Sequence, residues 1–314
     1  MLSFIARRVV SGLVMVVAIS VIAYMLLYAG GGDIARQLLG QDATAETVAQ
    51  KAHELGLDQP LVVQFGRWVA GVVHGDFGAS WFTSQPVTDA ILSRLAVTLS
   101  LVLGATLLVA VVSTALGVLA ATRGGGVIDG IVQVVSLVGT AIPNFLIALG
   151  LVLVFAINLG WFTPTGYVQA TDSVPGWIGS ITLPVIALSL GGIAAVTQQI
   201  RGSMLDSLRQ DYVRTLQSRG ISARSVIFKH VLRNAAGPAL AVLGVHFVGL
   251  LGGAVIIEQV FAIPGIGQVA VTATSQGDIP LVMGLVIATG IIVVLLNLVV
   301  DLAQGWLNPK VRLS

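Results

Sequence analysis

The sequence predicts an all-α integral membrane protein with six transmembrane helices, and three observations carry that prediction. Hydrophobic residues make up 56% of the chain and charged residues only 10%, where water-soluble domains hold about 25% charged residues. Such a chain lacks the charge to cover a water-facing surface of its size, and hydrocarbon is the solvent that tolerates it. Six stretches approach or exceed the roughly 20 apolar residues a membrane crossing needs: 9–28, 95–121, 130–159, 181–200, 238–257 and 279–304. The lysines and arginines then gather on one side of these stretches, as the positive-inside rule requires.

Each crossing has its own features. Stretch 9–28 follows Arg7 and Arg8 and so has the charge pattern of a secretory leader, but it is longer than the roughly 7–15 apolar residues of a leader, and it is expected to stay as a span. Stretch 130–159 is too long for one straight helix, and Pro143 in its middle is expected to kink it. The 37 glycines suit helices that approach one another closely. The chain has no cysteine, which excludes disulfides, thiolate metal sites and cysteine nucleophiles.

With the N-terminus inside, 12 of the 16 basic residues fall on inner segments: Arg7, Arg8, Arg123, Lys310, Arg312 and seven in segment 201–237. The outer segment 29–94 holds the other four (Arg36, Lys51, Arg67 and Arg94) against seven acidic residues, a net of −3. Six crossings with both termini cytoplasmic fit this distribution. The chain divides into 1–94, the first transmembrane helix with an extracytoplasmic loop, and 95–314, a transmembrane core with a cytoplasmic loop at 201–237. No internal repeat or low-complexity tract interrupts it. Within the outer loop, 44–55 reads as a short amphipathic helix, with Thr44 as N-cap and Glu46 in its first turn. A mixed segment, 57–84, follows it.

Loop 201–237 is basic and yet helical in pattern. Met204, Leu205, Leu208, Tyr212, Val213 and Leu216 recur at three-to-four spacing and make one apolar stripe. Gly220 then ends the pattern as a C-terminal glycine does. Ser222 caps a second short helix with Val226, Ile227, Val231 and Leu232 on its apolar face, and Pro238 is expected to open the next span in its first turn. Two readings fit two short amphipathic helices joined by a glycine turn. They rest in the headgroup layer against anionic lipid, or they dock a cytoplasmic partner and pass its movement to the adjoining spans.

Asp211-Tyr-Val-Arg-Thr-Leu-Gln-Ser-Arg-Gly220 followed by His230-Val-Leu-Arg-Asn-Ala-Ala-Gly-Pro238 resembles the cytoplasmic loop of binding-protein-dependent ABC importer permeases, and more narrowly the B-type permease of the dipeptide/oligopeptide/nickel group. Phe4-Ile-Ala-Arg-Arg8, Leu55-Gly-Leu-Asp-Gln-Pro60, Gly75-Asp-Phe-Gly-Ala-Ser80, Arg94-Leu-Ala-Val-Thr-Leu99, Ile142-Pro-Asn-Phe145, Glu258-Gln-Val-Phe-Ala-Ile-Pro-Gly-Ile-Gly267, Asn297-Leu-Val-Val-Asp301 and Asn308-Pro-Lys-Val-Arg312 extend the resemblance over nearly the whole chain. It implies the type I importer permease fold and a prokaryotic cytoplasmic (inner) membrane. It also implies a second, C-type permease, two ATP-binding subunits that hold ATP and Mg, and an extracytoplasmic substrate-binding protein. It makes Asp211, Tyr212, Arg214, Thr215, Leu216, Gly220, His230, Arg233, Asn234 and Pro238 the coupling loop seated on an ATPase subunit. Leu216 departs from the pattern, which has alanine there, and residues 30–33 replace a Pro-Gly-Asp-Pro turn. Short peptides are the implied substrate, with nickel chelates, glutathione and haem as same-class alternatives.

The chain itself has no G-x-x-x-x-G-K-[S/T] phosphate loop and no histidine or carboxylate cluster at metal spacing, so neither catalysis nor a cofactor is expected of it, and nucleic acid is not an expected partner. Residues 124–126 read as a glycine turn. Of the charged residues near the span ends, Glu258 and Asp301 are expected to reach the water layer. Among the histidines, only His246 falls within a span, where the ordinary reading is a hydrogen-bonded packing residue. An ion-coupled secondary transporter, the different-class alternative, needs charged or cation-coordinating groups at mid-depth, and the spans offer few. A pathway lined by neutral groups is expected instead. Ser136, Thr140 and Asn144 at i, i+4 and i+8 share one helix face, with Ser189, Thr197, Gln198 and His246 as further members. Helix–helix hydrogen bonding is the alternative for each of them. Segment 261–267, with Phe261, Pro264, Gly265 and Gly267, reads as a compact turn that caps the pathway or forms an outer gate or binding-protein contact.

Overall fold

A computed structural model describes residues 2–30, 34–40 and 42–307. Residues 31–33 of the glycine-rich turn, and the motif 308–312 with Lys310 and Arg312, lie outside the described residues. The chain runs through α1 (Leu2–Gly30), α2 (Ile34–Leu39), α3 (Ala45–Leu55), α4 (Leu61–Val73), α5 (Val87–Thr122), α6 (Val127–Ala141), α7 (Asn144–Leu151), α8 (Val174–Leu208), α9 (Asp211–Ser218), α10 (Ala223–Ser225), α11 (Leu232–Val260), α12 (Ile266–Gln276) and α13 (Ile279–Leu307). π-helical stretches, Val152–Asn158 and Val226–Val231, extend α7 and join α10 to α11. Among the described residues the only β pairing is an isolated bridge between Ala79 and Pro86.

Five helical stretches are each long and apolar enough to cross a membrane, and the pair Val127–Ala141 and Asn144–Asn158, bent by 98°, is so when taken together as a sixth. The bend has a local cause. Pro143 brings no backbone N–H, and its ring disfavours the helical conformation at the residue before it. Ile142 is accordingly extended, at φ −90° and ψ 123°.

Pro238 behaves differently from expectation. Ala223–Val260 is one continuous helical stretch of 38 residues, and Pro238 lies inside α11 instead of opening it. Ser222 already caps the start, its side chain accepting from Ser225 N–H at 3.4 Å. The proline then removes a single ladder hydrogen bond. Long apolar helices tolerate that loss where nearby π turns and neighbouring helices compensate.

The chain forms two compact units. One gathers Val97–Pro264 with the C-terminal part of α13. In it α8 packs against α5, α6, α7 and α11, and the contacts rely on glycines. A methyl on Gly117 would lie 2.7 Å from Ile200 Cγ2 and 3.2 Å from the Thr197 carbonyl, and one on Gly244 would lie 3.2 Å from Val300. Small residues at these points let backbones meet, which is how helices associate where lipid is as apolar as the side chains.

The other unit gathers Ala6–Ala96 and Gly265–Val294. Its cores are Val87, Ala90, Ile91, Ala273, Leu281 and Leu285, and Tyr24, Ile34, Ile279 and Met283 with Phe65, Trp68 and Trp81. The expected amphipathic helix is α3. Thr44 accepts from Thr47 N–H at its start, and Gly56, at φ 72°, ends it. Asp278, only 1% exposed, sits between α12 and α13. It accepts from the Ser80 hydroxyl at 2.5 Å and from the Trp81 N–H at 3.3 Å, and so holds the 75–80 loop to the start of α13. Asp278→Ala leaves both donors without that acceptor, at a cost of about 1–3 kcal/mol. The expected result is a lower melting temperature of the purified protein in detergent, followed by tryptophan fluorescence, with a smaller drop for Ser80→Ala.

Candidate functional site

Segment 201–237 holds less loop than its sequence span. α8 runs on through Arg201 to Leu208, and the chain breaks only at Arg209–Gln210 before α9. The expected single stripe is therefore divided, with Met204, Leu205 and Leu208 on the last turns of α8 and Tyr212, Val213 and Leu216 on α9. All six still converge on one buried cluster, together with Val226, Val231, Ala235 and Ala121. The opposite face of α9 carries Asp211, Arg214, Thr215 and Arg219, all exposed. The result is a foot with an apolar underside fixed to the spans and a polar face left open.

Gly220 ends α9 at φ 76°. The N–H of Gly220 bonds the Gln217 carbonyl at 2.9 Å and that of Ile221 bonds the Leu216 carbonyl at 3.2 Å. This double bond pattern satisfies two of the carbonyls a helix end leaves free, and it brings the side chains of the third-last helical residue and the residue after the glycine together. Those two are Leu216 and Ile221, both packed on the apolar cluster. The leucine that departs from the family pattern thus serves the helix end. Across the turn, Asn234 donates to the Tyr212 hydroxyl at 3.0 Å. His230 is half-buried, Arg233 and Pro238 are exposed, and Phe228 presents an apolar ring that is 53% exposed.

Two residues not singled out in the sequence, Asp129 and Phe228, belong to this region. Asp129, in the first turn of α6, forms an ion pair with Arg201 of α8 through Nε–Oδ1 and through Nη2–Oδ2 at 2.7 Å. Its Oδ2 also accepts from the Gly125 N–H at 3.0 Å, closing the expected glycine turn.

The expected pathway residues are scattered. Ser136 and Thr140 belong to α6 and Asn144 to α7, across the 98° bend, so the three do not share one helix face. The proline elbow breaks the periodicity that their spacing assumes. The Thr140 hydroxyl bonds the Leu137 carbonyl at 2.8 Å and the Ser189 hydroxyl the Val185 carbonyl at 2.5 Å, each within its own helix. Gln198 is half-buried. The Thr197 hydroxyl and His246 Nε2 are buried with no hydrogen-bond partner among the described residues. The imidazole lies over Gly192, where any Cβ would overlap it, so His246 Nε2 is packed without the hydrogen bond expected of it.

Glu258 does not reach water. It is 0% exposed and accepts from the Thr98 hydroxyl at 2.6 Å. α11 continues to Val260, which draws Glu258 into the helix beside α5. At 261–267, the Phe261 carbonyl accepts from Gly166 N–H at 2.8 Å, and Gly265 is the N-cap of α12. Phe261, Gly265 and Gly267 are buried, and Pro264 is the exposed member of the four.

A family model described as "Binding-protein-dependent transport system inner membrane component" matches residues 113–313, and the corresponding N-terminal model matches residues 1–102. The chain belongs to this family. It is similar over 99% of its length to a Brucella abortus chain named as a peptide transport system permease, at 39% identity with 99% of that chain covered. The Bacillus subtilis oligopeptide transport system permease AppB is 34% identical, over 99% of this chain and all of that one. The Salmonella paratyphi A glutathione transport system permease GsiC is 32% identical, with 99% of each chain covered. Among solved structures, a chain of the inward-facing MetNI methionine ABC transporter shares the fold, at TM-score 0.58 and 16% identity, over 72% of this chain and all of that chain. The permease is therefore a multi-pass transport subunit of an ABC system and not an enzyme, with ATP hydrolysis in separate subunits.

Replacing Leu216 with alanine removes the apolar contact that closes α9. For this half-buried leucine the expected cost is about 1–2 kcal/mol, below the 2–5 kcal/mol typical of a fully buried one. Amide hydrogen exchange over 211–222 is expected to quicken, with α8 unchanged.

Proposed function

We propose that this permease forms half of the translocation pathway of an importer of short peptides in the cytoplasmic membrane of a prokaryote. The observation that carries the reading is the two-faced foot. Its underside is fixed to the ends of α8 and α11 by buried apolar side chains, and the exposed Asp211, Arg214, Thr215 and Arg219, with the exposed Phe228 of the stretch that follows, supply the charge and the aromatic that an interface anchor uses. An ATPase subunit seated there would push both spans as a rigid body.

The partners in this reading are a related C-type permease, two ATP-binding subunits holding ATP and Mg, an extracytoplasmic substrate-binding protein and the surrounding lipid. Asp211, Tyr212, Arg214, Thr215, Leu216, Gly220, His230, Arg233, Asn234 and Pro238 make up the coupling region. Thr197, Gln198, His246, Ser136, Thr140 and Asn144 supply neutral pathway groups, and Pro264 marks the outer turn. The peptide cargo rests on relatives named for peptide, oligopeptide and glutathione transport. Glutathione is itself a short peptide. Weak, neutral lining groups suit cargo whose side chains vary, because no single group is matched tightly.

Gly220→Val tests the foot. No atom lies near enough to Gly220 to clash with an added Cβ, so the effect comes from forcing a β-branched residue into a left-handed conformation, about 1–2 kcal/mol. Peptide uptake is expected to fall at least tenfold, with binding-protein stimulation of ATP hydrolysis lost and membrane insertion intact. Unchanged uptake removes the coupling assignment. Orientation is tested with single cysteines in this cysteine-free chain. An impermeant thiol reagent added outside intact cells is expected to label Asp58→Cys and spare Arg224→Cys, and the reverse pattern inverts the topology.

A further inference from the structure

We infer that Asp129 and Arg201 form a strap that makes the inner half of the bent crossing move with the foot. The inference rests on the reading of the foot given above. Arg201 lies on α8, about two turns before that helix ends at Leu208 and the foot begins. Asp129 lies in the first turn of α6. The two meet across 72 residues of chain in a paired geometry, Nε on Oδ1 and Nη2 on Oδ2. The same carboxylate holds the Gly125 N–H, in a turn whose glycine adopts φ 77°. One acidic side chain thus ties together the turn that follows α5, the start of α6 and the last third of α8.

A planar fork on a carboxylate fixes orientation as well as distance. Apolar contacts between two helices would hold them together and still let them slide. The Asp129 side chain is 2% exposed and that of Arg201 20%. A pair this deeply placed gives little net stability compared with apolar residues of the same size, and its best-attested use is to set register. Register between α6 and α8 is what transmission from the foot requires. At its other end α6 meets the extended Ile142 and Pro143, beyond which α7 packs on α8 and α11. The elbow is therefore the joint at which a displacement of α6 is taken up while α7 keeps its seat.

The test uses the complete transporter in liposomes, with its ATPase subunits and binding protein, and reads peptide imported per ATP hydrolysed. Arg201→Gln removes the charge and the fork, while Arg201→Lys keeps the charge and removes the fork. Import per ATP is expected to fall tenfold or more for Arg201→Gln and several-fold for Arg201→Lys, with ATP hydrolysis staying within twofold of the unaltered protein. Unaltered import per ATP in both variants overturns the strap, and so does a fall in hydrolysis that matches the fall in import. The double variant D129C/R201C, bridged by a short bis-methanethiosulfonate, provides a second reading if the single variants fail to assemble. Bridging is expected to restore at least half of the import per ATP lost in the unbridged form, and no restoration overturns the strap. Gly220→Val run in parallel separates the two ideas. Coupling lost there but kept in Arg201→Gln removes the strap alone, and coupling kept in Gly220→Val removes the foot and the strap's role with it.

Discussion

Every backbone N–H and C=O inside hydrocarbon has to be paired within the chain, because no water is there to pair it. This constraint produces helices as long as Val87–Thr122 and Val174–Leu208, and it gives weight to the few places where the helical ladder is broken or widened. The largest departures in the crossing segments are the Ile142–Pro143 elbow and the π-helical stretches Val152–Asn158 and Val226–Val231, while Pro184 and Pro238 each remove one ladder bond inside a continuous helix. With lipid offering no hydrophobic drive between helices, contact depends on close approach, and Gly117, Gly192 and Gly244 mark where it occurs.

The parts outside the long helices are shaped by the same need to satisfy helix ends. Gly56, Gly220 and Gly277 all stop a helix in the left-handed conformation, each with the paired hydrogen bonds that close the last turn. At Gly277 the next residue is Asp278, which goes on to hold Ser80 and Trp81. At Gly220 the next residue is Ile221, which goes into the apolar cluster under the foot. The same turn chemistry thus anchors a loop through a buried carboxylate in one unit and a helix through apolar packing in the other.

What was legible in the sequence is what local chemistry determines. The six crossings, the caps at Thr44 and Ser222, the left-handed turn at Gly220 and the kink at Pro143 all depend on neighbours within a few residues. The pairs Asp129–Arg201 and Ser80–Asp278, separated by 72 and 198 residues, leave no local trace in the sequence. The burial of Glu258 depends on Thr98 arriving from another helix. Two local inferences failed for identifiable reasons. Pro238 has the local pattern of a helix start, although Ser222 already supplies one. The spacing of Ser136, Thr140 and Asn144 predicts a single face, and the elbow interrupts that periodicity.

The wide turns between Ser225 and Leu232 set how the fifth span is aimed. Each residue of an α-helix rotates the chain by about 100°, and a π-helical turn contains an additional residue. The helical phase carried up from the foot is therefore offset before it reaches Leu232, and the buried positions Ala235, Gly244 and Phe247 of α11 owe their azimuth to that offset. A chain one residue shorter in this stretch would keep both helices whole and still present the wrong side of the span to its neighbours.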